Sequence, residues 1–560
     1  MTTQTCKTCA KEFEIRDEDL VFYDQIKTLP PVNCPQCRMM QRLSFRNERT
    51  LYKRVCDLCN TDGVSIYPSG TPFPVYCHKC WWSDNWDPKS YATDYDPSRP
   101  FIDQVTELLD RVPRIALLVV NSVRSDYTNS AGDNKDCYLI FAADGNEDSM
   151  YSRLIMHCKQ VCDCAFTYDS ELCYECVNCR QCFNCMYSEQ CQASTDLLFC
   201  YDMRDSQNCI LCTNGRHMSN SLLNVKYSKE EYEKRKAEIL SSYENIEKAK
   251  AEYEKIKAST VVKYAVQTKC HNVTGDYMFN CYDGVRLFDV SNAKNCSYMA
   301  DSEDPIDSQD CNNVYYKPEL CHELMGSLQC SKTKYSKYVF YCNEVEYSDS
   351  CYNLTSALGC GAIRKGQYMI LNKEYTREDY IKLREEIIES MKKDGSYGQF
   401  FPTTSSPFGF NEALGQDYFP LSKDDALQRG YKWQEQTTGT YGKETISNNA
   451  IPESIDLVDD SILKEILVCQ DCKKNFKITK NELDFYKRMG VPLPRKDFEC
   501  RHRDRMAKRN PRQLWHRSCM CDKDSHMNHN GNCTEEFETS YSPDRQETIY
   551  CESCYQQEVA

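Results

Sequence analysis

Residues 173–185 read CYECVNCRQCFNC, so that five cysteines follow one another at three-residue spacing. The flanking sequence carries a longer regularity, because Cys137, Cys158, Cys179 and Cys200 recur every 21 residues. Short β-like runs lie between these cysteines and are broken by Asp, Asn and Ser. A fixed period near 20 residues with short strands predicts a β-solenoid. We therefore expect about 21 residues per coil, with cysteine as a small buried residue in each column.

A second block of the chain repeats this pattern. Cysteines again recur at an interval of 21 residues, in the pairs Cys321–Cys342 and Cys330–Cys351. The sequence SLLNVKYSKEEYEKRKAEI, which begins at Ser221, also matches MILNKEYTREDYIKLREEI, which begins at Met369. Each copy predicts the end of a coil followed by a charged helix.

The cysteine run in residues 173–185 has an alternative interpretation as an iron–sulfur or soft-metal site. Bacterial ferredoxins use C-x2-C-x2-C-x3-C-P, whereas here the third gap is two residues long and no proline follows. Side chains alternate between the two faces of a regular strand. On that basis, an every-third-residue series would point to opposite faces, which favours ladder columns over one shared cluster.

The composition favours a metal-binding protein of a reducing compartment. The chain has 560 residues, of which 38 are cysteine, and a formal net charge of −15. The first residues, MTTQTCKTCAKEF, lack a secretory pattern, and the longest apolar run is IALLVV. We therefore expect a cytoplasmic location, no membrane, and thiols that bind metal instead of forming disulfides.

The two ends of the chain are copies of each other. A shift of 463 residues aligns them without a gap, and eighteen of 51 paired positions are identical. Four C-x2-C pairs in the first copy predict two structural zinc sites with four cysteine ligands each. The ligands are Cys6, Cys9, Cys34 and Cys37 for the first site and Cys56, Cys59, Cys77 and Cys80 for the second. A helical pattern begins at CPQC, as in a treble-clef finger.

The second copy departs from this pattern. Its first site has Cys469, Cys472 and Cys500, with Asp497 standing where Cys34 stands and His502 as the other candidate for the fourth ligand. For its last site we expect Cys533, Cys551, Cys554 and one of Cys519 or Cys521. His526 and His529 are further candidates, with a solvated loop as the alternative. The sequence thus predicts about four structural zinc ions in all.

Both copies carry a stripe of arginines that falls on one helical face. The stripes consist of Arg38, Arg42, Arg46 and Arg49, and of Arg501, Arg505, Arg509 and Arg512. Arginine forks suit phosphate oxygens, so the stripes are candidate contacts to nucleic acid or the ribosome. The alternative is that they bind acidic groups of their own fold. The strongly acidic middle of the chain makes this alternative plausible.

The sequence predicts a mainly β protein with helices, in which two cysteine-rich solenoid-like blocks are flanked by zinc-ribbon or treble-clef modules. The expected divisions are an N-terminal zinc module (1–95), a helical connector (96–130), the first block (131–226), a charged helix or helical hairpin (227–262), the second block (263–372), a helix and aromatic strap (373–433), a linker (434–466) and a C-terminal zinc module (467–560).

Several motifs together resemble a known group of proteins. They are the CPxCRxxxR module, the segment YCHKCWWSDNWDP, the helix entry LNKEYTREDY and the strap FFPTTSSPFGFNE. These look like an uncharacterised family of zinc-ribbon proteins found mainly in uncultivated bacteria with small genomes. The resemblance covers nearly the whole chain and implies zinc binding in a bacterial cytoplasm. Some relatives carry an acyl-CoA-transferase-like label, but no residue of this chain supports that activity.

Three functions remain open on the sequence alone. The first is a non-catalytic, zinc-stabilised scaffold for a protein partner, and the second is a zinc-ribbon protein that contacts RNA, DNA or the ribosome. The third is a metallo- or redox enzyme. We place it last because the chain has no P-loop, GxSxG or HExxH motif and only nine histidines.

Overall fold

The computed structural model describes residues 2–312, 314–315, 322–323, 325–328, 335–337, 343–435 and 438–559. Over these residues the protein is a mixed α/β structure of many short strands in several small sheets, with twelve helices and no closed barrel. The helices are α1 (Asp17–Gln25), α2 (Pro35–Leu43), α3 (His78–Trp81), α4 (Phe101–Leu109), α5 (Lys229–Leu240), α6 (Tyr243–Ser259), α7 (Arg377–Asp394), α8 (Leu414–Tyr418), α9 (Lys423–Gln428), α10 (Lys480–Met489), α11 (Phe498–Ala507) and α12 (Glu552–Val559). Among the described residues, none of these helices is long and apolar enough to cross a membrane.

A stack of short parallel strands, which we call the first ladder, occupies residues 119–222. Its strands are Val119–Val120, Asn129–Gly132, Phe141–Asp144, Arg153–Met156, Ala165–Tyr168, Thr195–Leu198, Gln207–Ile210 and Ser219–Leu222. Each parallel pair, and each single bridge between them, joins residues twelve positions apart, as in Val177 with Glu189. One turn of this winding therefore takes twelve residues, and the predicted period of 21 is wrong.

The backbone explains the twelve-residue turn. Every third residue of the first ladder has a positive φ, so the chain bends after each group of three residues. In residues 173–185 these corners are Glu175, Asn178, Gln181 and Asn184, and asparagine is among the residues that tolerate this conformation best. Four three-residue sides complete one turn. The recurrence at 21 residues seen in the sequence is seven such sides.

The three-residue period also corrects the expected direction of the cysteine side chains. Because each side ends in a corner, the first residue of every side faces the interior. Cys173, Cys176, Cys179, Cys182 and Cys185 are accordingly all buried, with at most 2% of any side chain exposed. Side chains in this run do not alternate between two faces as they do in a regular strand, so all five cysteines face inward.

A second ladder occupies residues 267–370. Its described strands are Gln267–Thr268, His271–Phe279, Tyr282–Ser291, Lys294–Ser297, Ala300–Glu303, Val314–Tyr315, Ser327–Leu328, Asn343–Glu346, Leu354–Leu358 and Gly366–Ile370. The register is again mostly twelve residues. It is thirteen where Val314 pairs with Ser327, and eleven near the start of the ladder, where His271 pairs with Tyr282. Gly275 absorbs the change with a φ of 138°, and a Cβ there would lie 1.8 Å from the Leu287 carbonyl oxygen. The predicted pairs Cys321–Cys342 and Cys330–Cys351 each involve residues outside the described part of the chain.

Both ladders end in the same way. The last strand turns back as an antiparallel hairpin, onto Val225–Lys226 in the first ladder and Lys373–Glu374 in the second. In each, an asparagine side chain accepts from the backbone N–H and donates to the backbone carbonyl of one residue in the preceding turn. Asn224 bonds Thr213 in this way, and Asn372 bonds Gly361. The helices that follow, α5 and α7, then begin at a side-chain cap.

The two end modules share one layout, in which a short hairpin is followed by helices and a second hairpin. The N-terminal module has Thr2–Thr5 with Glu12–Ile15, α1, α2, Tyr52–Val55 with Asp62–Ser65, Val75–Tyr76 (which pairs with Arg114–Ile115) and α3. The C-terminal module has Leu467–Val468 with Asn475–Phe476, α10, α11, Trp515–Ser518 with Glu536–Thr539, Ile549–Tyr550 (which pairs with Val262–Lys263) and α12.

Two of the predicted boundaries differ from the structure. The first ladder begins at Val119, inside the range expected to be a helical connector, of which α4 is the helical part. Residues 438–466, expected to be a linker, bury Ile451, Ile455 and Ile462 in the core of the C-terminal module. The apolar side chains of this segment therefore make it part of the fold.

Candidate metal centres

The first four-cysteine group lies where the first hairpin meets the start of α2. The Sγ atoms of Cys6, Cys9, Cys34 and Cys37 all lie within 4.8 Å of one another. Cys34 precedes α2, and its backbone N–H donates to the Cys6 sulfur at 3.3 Å. Hydrogen bonds from the Cys37 thiol and backbone lower the pKa of Cys34 to about 5, against the effect of burial. Such a group is suited to a cation.

The second group repeats this construction one hairpin later. Cys56, Cys59, Cys77 and Cys80 again have all four sulfurs within 4.8 Å of one another. Cys77 precedes α3, and its N–H donates to the Cys56 sulfur at 3.2 Å. The structure thus brings together each of the two ligand sets that the C-x2-C spacing predicts.

The third group, in the C-terminal module, contains a carboxylate in place of one thiol. Cys469, Cys472, Asp497 and Cys500 form the cluster. Asp497 caps α11 through one carboxylate oxygen, which accepts from the Glu499 and Cys500 backbone, while the other lies 2.9 Å from the Cys472 sulfur. Burial raises the pKa of Asp497, but the hydrogen bonds from the neighbouring thiols prevail and the pKa lies below its usual value.

The other candidate ligand of this group, His502, points elsewhere. Its Nε2 lies 3.3 Å from a carboxylate oxygen of Asp417 in α8. Asp417 also approaches Arg49 of the N-terminal module, at 3.8 Å. His502 therefore takes part in the contact between the two end modules, and the geometry favours Asp497 as the fourth ligand.

Substitutions at these two residues separate the alternatives. Asp497→Asn keeps an oxygen to cap α11 but removes the charged ligand, so we expect the full-length protein to lose about one metal ion per chain on dialysis. His502→Ala should retain every ion, and Asp497→Cys should restore the complete set of thiolates. Metal content measured by mass spectrometry checks this. Loss of an ion from His502→Ala alone would contradict the assignment.

The last group contains more donors than one ion needs. Cys519, Cys533, Cys551 and Cys554 lie within 4.8 Å of one another, and the Cys551 N–H donates to the Cys519 sulfur at 3.2 Å, as at the start of α2. Cys519 therefore occupies the position that the sequence left between Cys519 and Cys521. Cys521 instead lies in a second cluster, with His526, His529 and Cys554.

The predicted arginine stripes lie inside the protein. Seven of the eight side chains are buried, and Arg49 is the partly exposed one. The pairs are Arg38–Asp310, Arg42–Asp310, Arg46–Glu48, Arg49–Glu499, Arg501–Asp163, Arg505–Asp163, Arg509–Asp289 and Arg512–Asp289. A phosphate would have to displace these carboxylates, so the placement favours contact with the protein's own fold.

The arginine pairs follow the duplication of the modules. In the N-terminal module two arginines converge on Asp310 of the second ladder, and in the C-terminal module two converge on Asp163 of the first. Each module also reaches the opposite ladder, directly through its later arginines in the C-terminal module and through the carboxylate of Glu48 in the N-terminal one. Arg509 and Arg512 bind Asp289, and Glu48 beside Arg46 binds Arg153 at 2.8 Å. Each module is thus fastened to both ladders.

The inward cysteines of the first ladder are bonded to backbone. The Cys176 thiol lies 3.5 Å from the Tyr174 carbonyl oxygen and 3.3 Å from that of Cys185, and its neighbours repeat this pattern. Burial raises the pKa of Cys176 well above its usual value. The Cys176 thiol therefore stays neutral and fills space between turns, whereas hydrogen bonds from Cys179 and Cys185 lower the pKa of Cys182. None of the described cysteines forms a disulfide.

Comparison with known proteins gives no relative. No model of a known protein family matches the chain, and no curated protein matches it. The function is therefore inferred from the geometry of the donor clusters and of the residues packed around them.

Proposed function

We propose that the protein is a non-catalytic scaffold, stabilised by zinc at both ends, that holds a protein partner. The observation that supports this best is that the described residues form five clusters of four protein donors, two of which share Cys554, while seven of the eight stripe arginines are buried. Catalytic zinc keeps a coordination position open for water or substrate, whereas saturated sites are structural. Cysteine-rich tetrahedral groups favour zinc among the common ions.

The end modules are best interpreted as duplicated zinc-ribbon or treble-clef units. In each, a hairpin supplies the first two donors and the start of a helix supplies the next two. We infer that Cys6, Cys9, Cys34 and Cys37 hold one ion, and that Cys469, Cys472, Asp497 and Cys500 hold its counterpart. The free thiols suit a reducing compartment, which supports the cytoplasm as the location.

We infer that the two ladders are four-sided β-solenoids with cysteine-filled interiors. The twelve-residue register of the first ladder, which most of the second ladder shares, and the corners at every third residue support this. A solenoid offers long flat sides and needs covered ends. Both are typical of binding scaffolds.

A groove on the second ladder is the surface where we expect the partner. It encloses about 1240 Å³ between α1, the start of the second ladder and the strand that carries Lys263. Its floor carries columns of paired amide and carboxylate side chains, as in Asn272 with Asp283 and Asn295 with Asp307. Val21 stands at its edge with 69% of its surface exposed. Mixed polar walls with an exposed apolar edge suit an extended polypeptide.

Nucleic-acid binding is the second candidate, and one measurement separates the two. We expect the full-length protein to show no salt-dependent affinity for mixed RNA or duplex DNA, because its duplicated arginines are already paired with carboxylates. Titration at low and physiological salt checks this, alongside metal analysis that should find zinc and no iron. Binding that weakens steeply with salt would overturn the scaffold proposal, and iron with a brown colour would favour the redox alternative.

A further inference from the structure

The loop of residues 522–532 turns two histidines inward although the residues around them face solvent. Met527 is 94% exposed, and Asp524, Ser525 and Asn528 are exposed as well. His526, in contrast, is only 6% exposed. Met527 is the one apolar residue of this loop and it is exposed, so the loop has no hydrophobic reason to bury an imidazole. The histidines therefore need another partner to hold them in place.

The hydrogen bonds of His529 define which of its nitrogens is free. Its Nδ1 lies 2.7 Å from the Gly531 carbonyl oxygen, which can only accept, so Nδ1 carries the proton. Nε2 is then unprotonated. It is buried and has no hydrogen-bond partner among the described residues. A histidine whose one nitrogen donates to a backbone carbonyl while the other presents a buried lone pair is arranged as a metal ligand.

His526 shows the complementary arrangement. Its Nε2 lies 3.5 Å from a carboxylate oxygen of Glu558, which Lys523 holds at 2.6 Å. Its Nδ1 faces the Cys521 sulfur at 3.1 Å. A carboxylate behind one ring nitrogen orients the other toward a metal. Cys521 itself is 1% exposed, so its thiol and this nitrogen meet out of solvent.

Cys554 links this cluster to the neighbouring one. Its sulfur lies within 4.8 Å of every donor in both groups, and Asn528 donates to it at 3.3 Å. A thiolate has lone pairs enough for two ions. Two divalent ions with five thiolates carry a net charge of about −1, against about −2 for one divalent ion with four thiolates, so the second ion lowers the charge that the buried site must hold.

We propose that the C-terminal module holds a binuclear zinc centre. One ion is bound by Cys519, Cys533, Cys551 and Cys554, and a second by Cys521, His526, His529 and the same Cys554, which bridges the two. This inference rests on the structural zinc of the proposed function and adds one ion to it. The protein then carries five ions, one for each of the clusters found among its described residues.

Metal counting on the full-length, zinc-loaded protein tests this centre. Native mass spectrometry and elemental analysis should give five zinc ions per chain, and the double variant His526→Ala, His529→Ala should give four. The matched control is His516→Ala, in the same module, because His516 is exposed and bonds only Glu536 and Glu538. It should keep five ions. Four ions in both the wild type and the double variant would overturn the proposal, because one ion then serves both donor sets.

A second measurement on the unaltered protein does not depend on how the variants fold. After exchange of zinc for ¹¹³Cd²⁺, two cadmium nuclei that share the Cys554 sulfur should show a scalar coupling in the cadmium NMR spectrum. The remaining cadmium ions, which share no ligand, should show none. Absence of any coupled pair at full loading would overturn the bridge while leaving four structural sites intact. Absence of bound zinc altogether would instead contradict the proposed function.

Discussion

Removal of metal from the full-length protein with a strong chelator is expected to unfold both end modules. Each module contributes residues such as Leu43 and Tyr486 to clusters shared with the ladders, but the apolar clusters within the modules are small: one around Phe22 and Tyr23 has four members, and one around Tyr550 consists largely of cysteines. Zinc supplies on the order of 10 kcal/mol to the folding of a single finger, more than such clusters provide. Hydrogen exchange should therefore show loss of amide protection in residues 2–80 and 467–559.

The same experiment contains its own control within the chain. Helix α5 packs on the ladder strands Gln207–Ile210 and Ser219–Leu222, and none of these three elements contributes a residue to a cluster that could hold metal. Their amides should keep most of their protection after chelation, and zinc added back should restore the modules. If both modules stay protected once the metal is gone, the cysteine clusters are packing elements and the ligand assignment fails.

The ligands that sequence alone could predict are those fixed by local spacing. Two thiols at C-x2-C spacing necessarily lie near each other, which is why Cys6 and Cys9 could be paired with Cys34 and Cys37. The choice between Cys519 and Cys521 depends on the register of the hairpin Trp515–Ser518 with Glu536–Thr539. Nothing local in the sequence determines that register. The spacing Cys-x4-His-x2-His at Cys521 was nevertheless a visible signal.

The length of one turn was harder to predict from the sequence than the presence of a repeat. Any multiple of three keeps an inward residue inward in these ladders, so Cys137, Cys158 and Cys179 recur at 21 residues without lying on adjacent turns of one side. Turn length depends on which backbone groups pair, as Val177 does with Glu189, and side-chain identity reveals this only indirectly. The better signal was the recurrence of Asn and Asp at intervals that are multiples of three, as at Asp163, Asp169, Asn178 and Asn184, because these residues accept the left-handed conformation of the corners.

The carboxylates that bind the arginines could not be predicted from local sequence, because they lie hundreds of residues away along the chain. Arg505 lies 342 positions from Asp163 along the chain, and no local sequence pattern predicts that pairing. The excess of positive charge on the modules and of negative charge in the middle indicated complementarity, but equally suited a phosphate backbone. Burial decides between the two, because Arg505 and Asp163 are both fully inaccessible.

Asp163→Asn is expected to destabilise the docking of the C-terminal module by about 3 kcal/mol. Asp163 accepts a hydrogen bond from Arg505 at 2.8 Å and forms an ion pair with Arg501 at 2.9 Å, and all three side chains are buried. Removing one partner of a buried ion pair leaves an uncompensated charge, at a cost of roughly 3–5 kcal/mol. Here two guanidinium groups lose their shared carboxylate, although Glu482 and Glu175 remain nearby. Hydrogen exchange of the α11 amides measures the loss.

The matched control is Asp136→Asn, which makes the same chemical change at the same kind of corner. Asp136 and Asp163 have φ values of 55° and 53°, a conformation that asparagine also accepts, so backbone strain is equal in the two variants. Asp136 pairs with Arg124, whose side chain is 65% exposed, and exposed pairs contribute less than about 1 kcal/mol. Asp136→Asn should leave α11 unchanged. Equal effects of the two substitutions would mean that the buried arginines do not fasten the module to the ladder.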